Sequence, residues 1–451
     1  MDYTLHAIDD YIFDSERLIL YKSEENLSKL ILKECNCTNG EKFNETLHEI
    51  SNKVNTNRIA INVIGICLTY NCNLRCNYCG FSSVDGDQHK LQLDDIKAFV
   101  DDALIKRTVK KLITQKEEPL IVYFSGGGEP TYEWNLLKSS VQYIKEQCIK
   151  NNIPLKLSMT TNGVLSNEEI DFIASNFTRL MISYDGIPDV HDRNRASLNQ
   201  KSTSIIVERT IRELSIRKIP LEIRTTIWPN DYSKMVQMYE HVFSIACKDD
   251  NVVWSLYPVL YEGRAIAHMR QLDNKHYKSF LSYYFDLIEY INFTQGEEKA
   301  RKIYCPVFSD ETISFFCGSL FGEEPCLLPD GSIVTCNEAR EQRVYIGKVE
   351  NHKVIYYNKC YNVFYDTAEK KLLECRNCIA YRFCKGGCPI WHLRGYEDKE
   401  GPLECQITRD YWRHILECAI KQKYSFGWRL RKIKLSSAEN KEIYALEKEE
   451  N

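Results

Sequence analysis

The sequence predicts an α/β fold, with an open parallel sheet of six βα units, a small α+β module ahead of it and a cysteine-rich domain behind it. Three observations carry this prediction. Between about residues 58 and 300, short β-rich apolar runs alternate with longer segments of helical period, which is the pattern of βα units and a parallel sheet. Residues 1–57 lack that alternation. From about residue 301 the periodicity fades and Cys, Gly, Tyr and Pro dominate, as in chains held by bound groups rather than by a large core. At 451 residues and 43% hydrophobic, the chain is long enough for two or three domains, each with its own core.

In chain order, residues 1–57 read as a hairpin in YIFDSERLILY followed by helical stretches in SEENLSKLILKE and GEKFNETLHEI. The strands of residues 58–300 read as RIAINVIGICL, PLIVYFSG, LKLSMTTNG, RLMISYDG, PLEIRTTIW and NVVWSLYPVL. Between them DDIKAFVDDALIKRTV, WNLLKSSVQYIKEQC and SNEEIDFIASNF carry apolar residues at helical spacing, and Ser166 with Glu169 makes a capping box at the start of the third. Six units fall short of the eight of a closed barrel. Ligands of parallel α/β sheets sit beyond the carboxyl ends of the strands, so the segments that follow each strand are where chemistry is expected. Residues 301–418 form the cysteine-rich domain, and residues 419–451 run from basic (WRLRKIKL) to acidic (EKEE), as a solvated helical tail does.

Charge and hydropathy exclude some classes. A net charge of −4 without a basic stripe argues against nucleic acid as a partner. No run of 18 apolar residues is present, and the start MDYTLHAIDDYIFDSERL has neither the basic region nor the apolar segment of a signal peptide. A cytoplasmic protein with no membrane partner is expected. Nineteen cysteines in a chain that is neither small nor secreted point to metal or cluster ligation rather than disulfides. Cys35, Cys37, Cys67, Cys148, Cys247, Cys360 and Cys418 fall outside any pattern and read as small buried residues or idle thiols.

The strongest motif is LTYNCNLRCNYCG, directly after the first strand, where Cys72, Cys76 and Cys79 form a CxxxCxxC loop. Iron–sulfur cubes are normally held by four thiolates, so a loop that supplies three leaves one iron for a small molecule. Structural zinc is the alternative, but zinc favours four ligands from paired pieces and no fourth lies nearby in sequence. The arrangement resembles the radical S-adenosylmethionine (SAM) superfamily, whose fold is an open (β/α)6 barrel. The resemblance implies that SAM chelates the open iron of a [4Fe–4S] cluster and is cleaved to a 5′-deoxyadenosyl radical.

Four further segments match the superfamily's SAM-binding motifs, each after the expected strand. SGGGEP offers Gly126, Gly127 and Gly128, where bare backbone can approach a ligand, and Glu129, which could pair with the SAM ammonium; glycine runs also serve ordinary turns. TTNG offers Thr160, Thr161 and Asn162, either as SAM contacts or as a strand-to-helix turn. ISYDGIPDVHDRNR resembles a segment of the subfamily that modifies peptides and proteins. It implies Ser183 on the ribose and Arg195 on the SAM carboxylate, a pairing suited to a guanidinium fork, with His191 and Asp192 shaping the turn. TTIW would offer backbone around Thr226 and Ile227 to the adenine. Tyr78 and Asp185 are counted with the SAM-binding positions on the same resemblance.

The carboxy-terminal cysteines are the second strong signal. Cys317-x13-Gly331-x4-Cys336, Cys375-x2-Cys378-x5-Cys384-x3-Cys388 and Cys405 resemble, in order and without a break, the SPASM domain of peptide- and protein-modifying radical SAM enzymes. The resemblance implies two auxiliary [4Fe–4S] clusters, a nearer one on Cys317, Cys336 and Cys388 and a farther one on Cys375, Cys378, Cys384 and Cys405, three clusters in all. A zinc ribbon would use four of these thiolates and leave the others unexplained. The fourth ligand of the nearer cluster is open among Cys305, Cys326 and a substrate thiolate on a free iron. Sulfatase-maturating relatives carry an aspartate base directly after the second cysteine of this motif, and here that residue is Asn337, which cannot take a proton.

The expected function is that of a radical SAM peptide maturase, an oxidoreductase that takes hydrogen from a ribosomally made precursor peptide and forms a thioether or related crosslink. The expected partners are that peptide with its leader, which residues 1–57 would add to a sheet edge unless they merely cap the barrel, and an electron donor such as flavodoxin or ferredoxin. The alternatives are sulfatase-type oxidation of a protein Ser or Cys, epimerisation, a carbon–carbon crosslink, or a zinc-bound binding module without catalysis.

Overall fold

The computed structural model describes residues 5–8, 11–15, 18–22, 61–81, 86–114, 118–246, 251–260, 263–265, 274–307, 319, 324–338, 344–357, 360–375, 378–393, 403–423, 428–433 and 443–448. In chain order the strands are β1 (Leu5–Ile8), β2 (Tyr11–Asp14), β3 (Ile19–Lys22), β4 (Val63–Ile66), β5 (Leu120–Phe124), β6 (Leu155–Thr161), β7 (Arg179–Ser183), β8 (Leu221–Ile227), β9 (Val252–Pro258), β10 (Ile303–Tyr304), β11 (Cys326–Leu327), β12 (Ser332–Val334), β13 (Tyr345–Glu350), β14 (Lys353–Tyr356), β15 (Trp428–Ile433) and β16 (Ile443–Lys448). The main helices are α1 (Leu93–Thr114), α2 (Trp134–Lys150), α3 (Asn167–Asn176), α4 (Pro188–Asn194), α5 (Ser204–Ile216), α6 (Met235–Ile245), α7 (Asn274–Gln295), α8 (Cys360–Glu374) and α9 (Leu403–Ile420).

The chain divides into two compact units, one of Met1–Asn55, Pro306–Cys317 and Phe364–Asn451, the other of Thr56–Cys305 and Gly318–Val363. These cut across the contiguous segments read from the sequence.

In the larger unit the six expected strands, β4 to β9, pair in parallel, each with its sequence neighbour, and β10 adds to β9. Alternation sets their faces. Leu120, Val122 and Phe124 of β5 are fully buried, while Ile121 and Tyr123 on the other face are only half-buried. Helices cover the first face. Phe124 packs on Phe177, just past α3, with ring centroids 6.0 Å apart, and Trp254 of β9 lies 6.2 Å from Tyr239 of α6. The helices form where the apolar period predicts them, and α3 starts with the expected capping box between Ser166 and Glu169. The opposite face carries the half-buried Tyr123, Thr160, Met181, Ser183, Arg224, Thr226 and Tyr257.

Beyond β4 the sheet continues into residues where the sequence lost its periodicity. β11 pairs in parallel with β4, Cys326 opposite Gly65, and β12, β13 and β14 follow antiparallel. These strands have two to six residues, too few to print a period, and the neighbouring β4 supplies the pairing they need.

In the smaller unit the expected hairpin appears as β2 and β3, and the two helical stretches read after it lie outside the described residues. The tail forms strands rather than the solvated helix its charge suggested. Trp428 is buried while Arg429 and Arg431 are exposed, a period of two. Trp428 packs edge-on to Phe383 and Trp412, at 5.4 and 5.3 Å. The resulting sheet has the order β1-β2-β3-β16-β15, so β16 covers the edge of β3. No helix among the described residues is long and apolar enough to cross a membrane.

Candidate functional site

The segments that follow β4 to β9 converge on the CxxxCxxC loop. Gly128 N–H donates to Thr69 O at 2.9 Å and Glu129 N–H to Asn71 O at 2.8 Å, which laces SGGGEP onto the backbone leading into Cys72. The glycines are required by this approach rather than by turn formation alone. A Cβ on Gly128 would stand 1.8 Å from Asn71 O, and one on Gly127, whose φ is +71°, would stand 2.7 Å from Cys67 Sγ. On the far side Arg75 N–H donates to Ala196 O and Asn77 N–H to Asn194 O, at 2.8 and 2.9 Å. Arg75 and Arg264 give guanidinium hydrogen bonds to the carbonyls of Cys72 and Cys76, at 2.9 and 3.1 Å.

Burial disfavours the thiolates of Cys72 and Cys76, and Cys79 lies close enough to both to add to that effect. Burial pushes the Cys76 thiol up to about 12, with Arg195 acting against the rise. Three neighbouring thiols, of which Cys72 and Cys76 have their ionisation opposed by burial and by repulsion, fit a cationic group that would hold them as thiolates.

Glu129 is buried and takes four hydrogen bonds. Its Oε1 accepts from Thr131 N–H, Thr131 Oγ1 and Thr161 Oγ1 at 3.3, 3.0 and 2.9 Å, and its Oε2 from Asn162 N–H at 2.7 Å. Burial raises its pKa and these bonds oppose the rise. The carboxylate thus ties the end of β5 to the end of β6. Asn162 in turn donates from Nδ2 to Asn73 Oδ1 at 2.7 Å, inside the cysteine loop.

A second network binds Tyr78. Its hydroxyl donates to Asp185 at 2.8 Å and accepts from Arg195 Nη1 at 2.8 Å. Asp185, fully buried, also accepts from Asn194 Nδ2 at 3.1 Å and from Thr226 N–H. Burial lifts its carboxyl to about 6 against the pull of Arg195. Arg195 is 7% exposed and its Nε is buried without a partner among the described residues, a donor that a bound carboxylate would satisfy. His191 and Asp192 serve the turn. His191 Nδ1 accepts from Asp185 N–H, and Asp192 accepts from Thr203 and Ser204 N–H ahead of α5. Ser183 and Thr226 are half-buried on the open face, whereas Ile227 is buried toward the helices and its carbonyl is taken by Val259 N–H at 3.1 Å.

Sequence reasoning missed Asn77, Asn194, Trp228 and Arg264. Trp228 Nε1 donates to Asn77 Oδ1 at 3.1 Å and Asn77 Nδ2 to Asn194 Oδ1 at 3.3 Å. These three side chains, with Arg193 and Asp231, line a cleft of about 420 Å³. Asn77 was visible inside the cysteine motif, whereas Arg264 follows β9 in a segment without any pattern.

Asn337 belongs to this site. Its Cβ lies 3.3 Å from where a Cβ on Gly126 would stand, and its Nδ2 lies 3.5 Å from Ser125 Oγ. In the same unit Cys326 is fully buried and interacts with Cys67, Cys336 and Tyr123, whereas Cys305 follows β10 and faces Tyr232. In the smaller unit Cys375, Cys378, Cys384 and Cys405 come together, and burial with mutual repulsion pushes Cys375 up to about 12. Cys317 lies outside the described residues.

The family model of the radical SAM superfamily matches residues 66–242. A cysteine-type anaerobic sulfatase-maturating enzyme of Clostridium novyi (strain NT) is 24% identical over 331 residues, which are 70% of this chain and 85% of that protein. One from Clostridium perfringens is 25% identical over 329 residues, with the same coverage. Among solved structures, native anSMEcpe with bound AdoMet matches with a TM-score of 0.60 at 20% identity, over 80% of this chain and 97% of that one. SuiB of Streptococcus suis bound to S-adenosylmethionine matches with a TM-score of 0.50 at 12% identity, over 88% and 98%. At such identities the structural likenesses show the fold. Residues 66–242 form a radical SAM domain, and the chain is a radical SAM enzyme.

Proposed function

We propose that the chain is a peptide maturase that forms a thioether or related crosslink in a ribosomally made precursor peptide. The observation that carries this reading is Asn337 against Gly126 and Ser125. The residue after Cys336 meets the SAM motif with an amide, so it can hold a peptide group by hydrogen bonds but cannot accept its proton. Solved relatives described as bound to a Cp18Cys peptide support a peptide substrate.

The bound SAM and its cluster, when present, supply a 5′-deoxyadenosyl radical. The protein's part is to hold and orient. Cys72, Cys76 and Cys79 would hold the cluster, Arg195 the SAM carboxylate, and Gly126 to Gly128, Asn162, Ser183 and Thr226 would line the SAM site. Glu129, Tyr78 and Asp185 act by fixing these groups. Joining a peptide sulfur to a carbon removes a hydrogen atom from the carbon, a proton from the thiol and one electron, and the auxiliary cysteines would hold the acceptor of that electron. We assign Cys375, Cys378, Cys384 and Cys405 to one auxiliary [4Fe–4S] cluster, and Cys336 with Cys326 to the other. Support for Cys326 over Cys305 comes from proximity. Cys326 interacts with Cys336, whereas Cys305 faces Tyr232. A leader peptide adding to an outer strand of the five-stranded sheet, a flavodoxin or ferredoxin donor and a cytoplasmic location complete the proposal.

The sequence relatives favour a second reading, oxidation of a protein Ser or Cys as in sulfatase maturation. One experiment separates the two. A short Cys-rich peptide encoded beside the gene is incubated anaerobically with reconstituted enzyme, SAM and reductant, then reduced and alkylated for intact-mass measurement. Loss of a hydrogen pair together with loss of an alkylatable thiol is the expected result. Replacement of a Cys sulfur by a carbonyl oxygen from water with release of hydrogen sulfide, or loss of two hydrogens at a Ser to give a carbonyl, would establish the second reading, and an unchanged peptide with no 5′-deoxyadenosine would sink both.

A further inference from the structure

The open face of the sheet carries a charge cluster that the SAM motifs do not use. Glu222 on β8 has a side chain only 2% exposed, and its carboxylate is already satisfied. Oε2 accepts from Arg179 Nη2 at 2.7 Å, Oε1 accepts from Ser255 Oγ at 2.9 Å, and the Tyr304 hydroxyl also bonds this carboxylate. Arg224 stands next on the same face of the same strand. Its nearest approach to Glu222 is 3.5 Å, from Nη2 to an oxygen that Ser255 already occupies, too long for a charge-assisted bond. Its Nε is buried with no partner among the described residues, and its guanidinium carbon lies 5.9 Å from the centroid of the Tyr257 ring, while the side chain is 36% exposed.

Among these described groups one carboxylate faces two guanidinium cations, and Arg179 holds it at the better distance. The surplus positive charge falls on Arg224. Its position relative to the SAM site follows from register. Arg224 is the β8 partner of Ser183 on β7 and precedes Thr226 by two residues on the same face, a rise of about 6.6 Å. A cation one step below the SAM contacts, with an unsatisfied buried donor, suits an anion carried by the substrate rather than by SAM, whose carboxylate has Arg195.

Resting on the peptide-maturase reading, we propose that Arg224 is a specificity residue that binds a carboxylate of the substrate peptide, an Asp or Glu side chain close to the residue that reacts.

The test uses the SAM-saturated, cluster-loaded protein and pairs of synthetic 18-residue peptides, each a Gly/Ala/Ser chain with one central Cys. Within a pair only one position, up to four residues from the Cys, changes from Asp to Asn. Binding is measured anaerobically by calorimetry beside SAM affinity and peptide-independent 5′-deoxyadenosine formation. At one or more positions the Asp peptide should bind about tenfold tighter than its Asn twin, the worth of roughly one charge-assisted bond. R224Q should abolish that preference with SAM affinity and uncoupled deoxyadenosine unchanged. R179Q should also shrink it, because Glu222 would then claim Arg224. Equal binding of the twins at every position overturns the inference but leaves the enzyme reading intact, and so does an R224Q variant that loses SAM instead of peptide discrimination. Binding of neither twin with SAM in place overturns the peptide-substrate reading and this inference with it.

Discussion

The buried His191 makes stability fall in mild acid. The ring is fully buried, stacks on Tyr184 at 4.8 Å, accepts the Asp185 N–H on Nδ1 at 3.3 Å and meets Thr203 Oγ1 through Nε2 at 3.1 Å. Nδ1 acts as an acceptor, so the neutral ring carries its hydrogen on Nε2 and donates to Thr203. Protonating Nδ1 would set N–H against N–H and place a cation beside Arg195. Burial and Arg195 lower its pKa to about 3, with Asp192 acting the other way. The unfolded ring titrates near 6.5, so below that pH the unfolded chain binds more protons and stability is lost as pH falls. Between pH 7 and pH 5 the loss is ~2 kcal/mol, from RT ln(1 + 10^1.5). Asp185, lifted to about 6, works in the opposite sense over part of this window, so the comparison is made against H191N, whose amide oxygen can replace Nδ1 as the acceptor. Pulse proteolysis in urea of both proteins, cluster-loaded and anaerobic, reads stability at pH 7 and pH 5. Wild type should lose ~2 kcal/mol more than H191N. Equal losses in the two proteins would refute the account of a histidine held neutral by its acceptor role.

Three further outcomes follow from the site. E129Q replaces the oxygen that receives Asn162 N–H with an amino group or turns the amide away from Thr161; either costs roughly 2 kcal/mol, and thermal unfolding with SAM titration should show a lower midpoint and weaker SAM binding, an unchanged midpoint being the contrary result. G128A puts a Cβ 1.8 Å from Asn71 O and should displace the loop into Cys72, so iron analysis should find the SAM-binding cluster missing; a fully loaded variant would mean that the lacing is dispensable. C326S should lose the iron of one auxiliary cluster while C305S keeps it, by iron and sulfide analysis with electron paramagnetic resonance, and the reverse pattern would move the fourth ligand to Cys305.

Much of the site was legible because its residues stand in short, rigidly spaced motifs. The spacing of Cys72, Cys76 and Cys79, and the order of strand, motif and helix from β4 to β9, are properties of the chain itself, and period-two and period-3.6 hydrophobicity located each element. What those residues touch was not legible. Gly128 reads as a ligand-approach position but is glycine because the Asn71 carbonyl lies where its Cβ would be. Glu129 reads as an ammonium partner but spends both oxygens on the backbone and hydroxyls of Thr131, Thr161 and Asn162. Cys67 reads as an unpatterned thiol and Cys326 as one of the candidate fourth ligands, and the two meet only because β11 adds in parallel to β4.

The sequence by itself determined the chemistry class, the six βα units and the two groups of cysteines, since local spacing and periodicity suffice for each. Tertiary structure decided the edges and the charges: β11 to β14 extend the parallel sheet, the tail covers β3, and Arg179 rather than Arg224 neutralises Glu222. Strand pairing and charge balance join residues far apart in the chain, and no local pattern records which partner a short strand or a buried carboxylate will find.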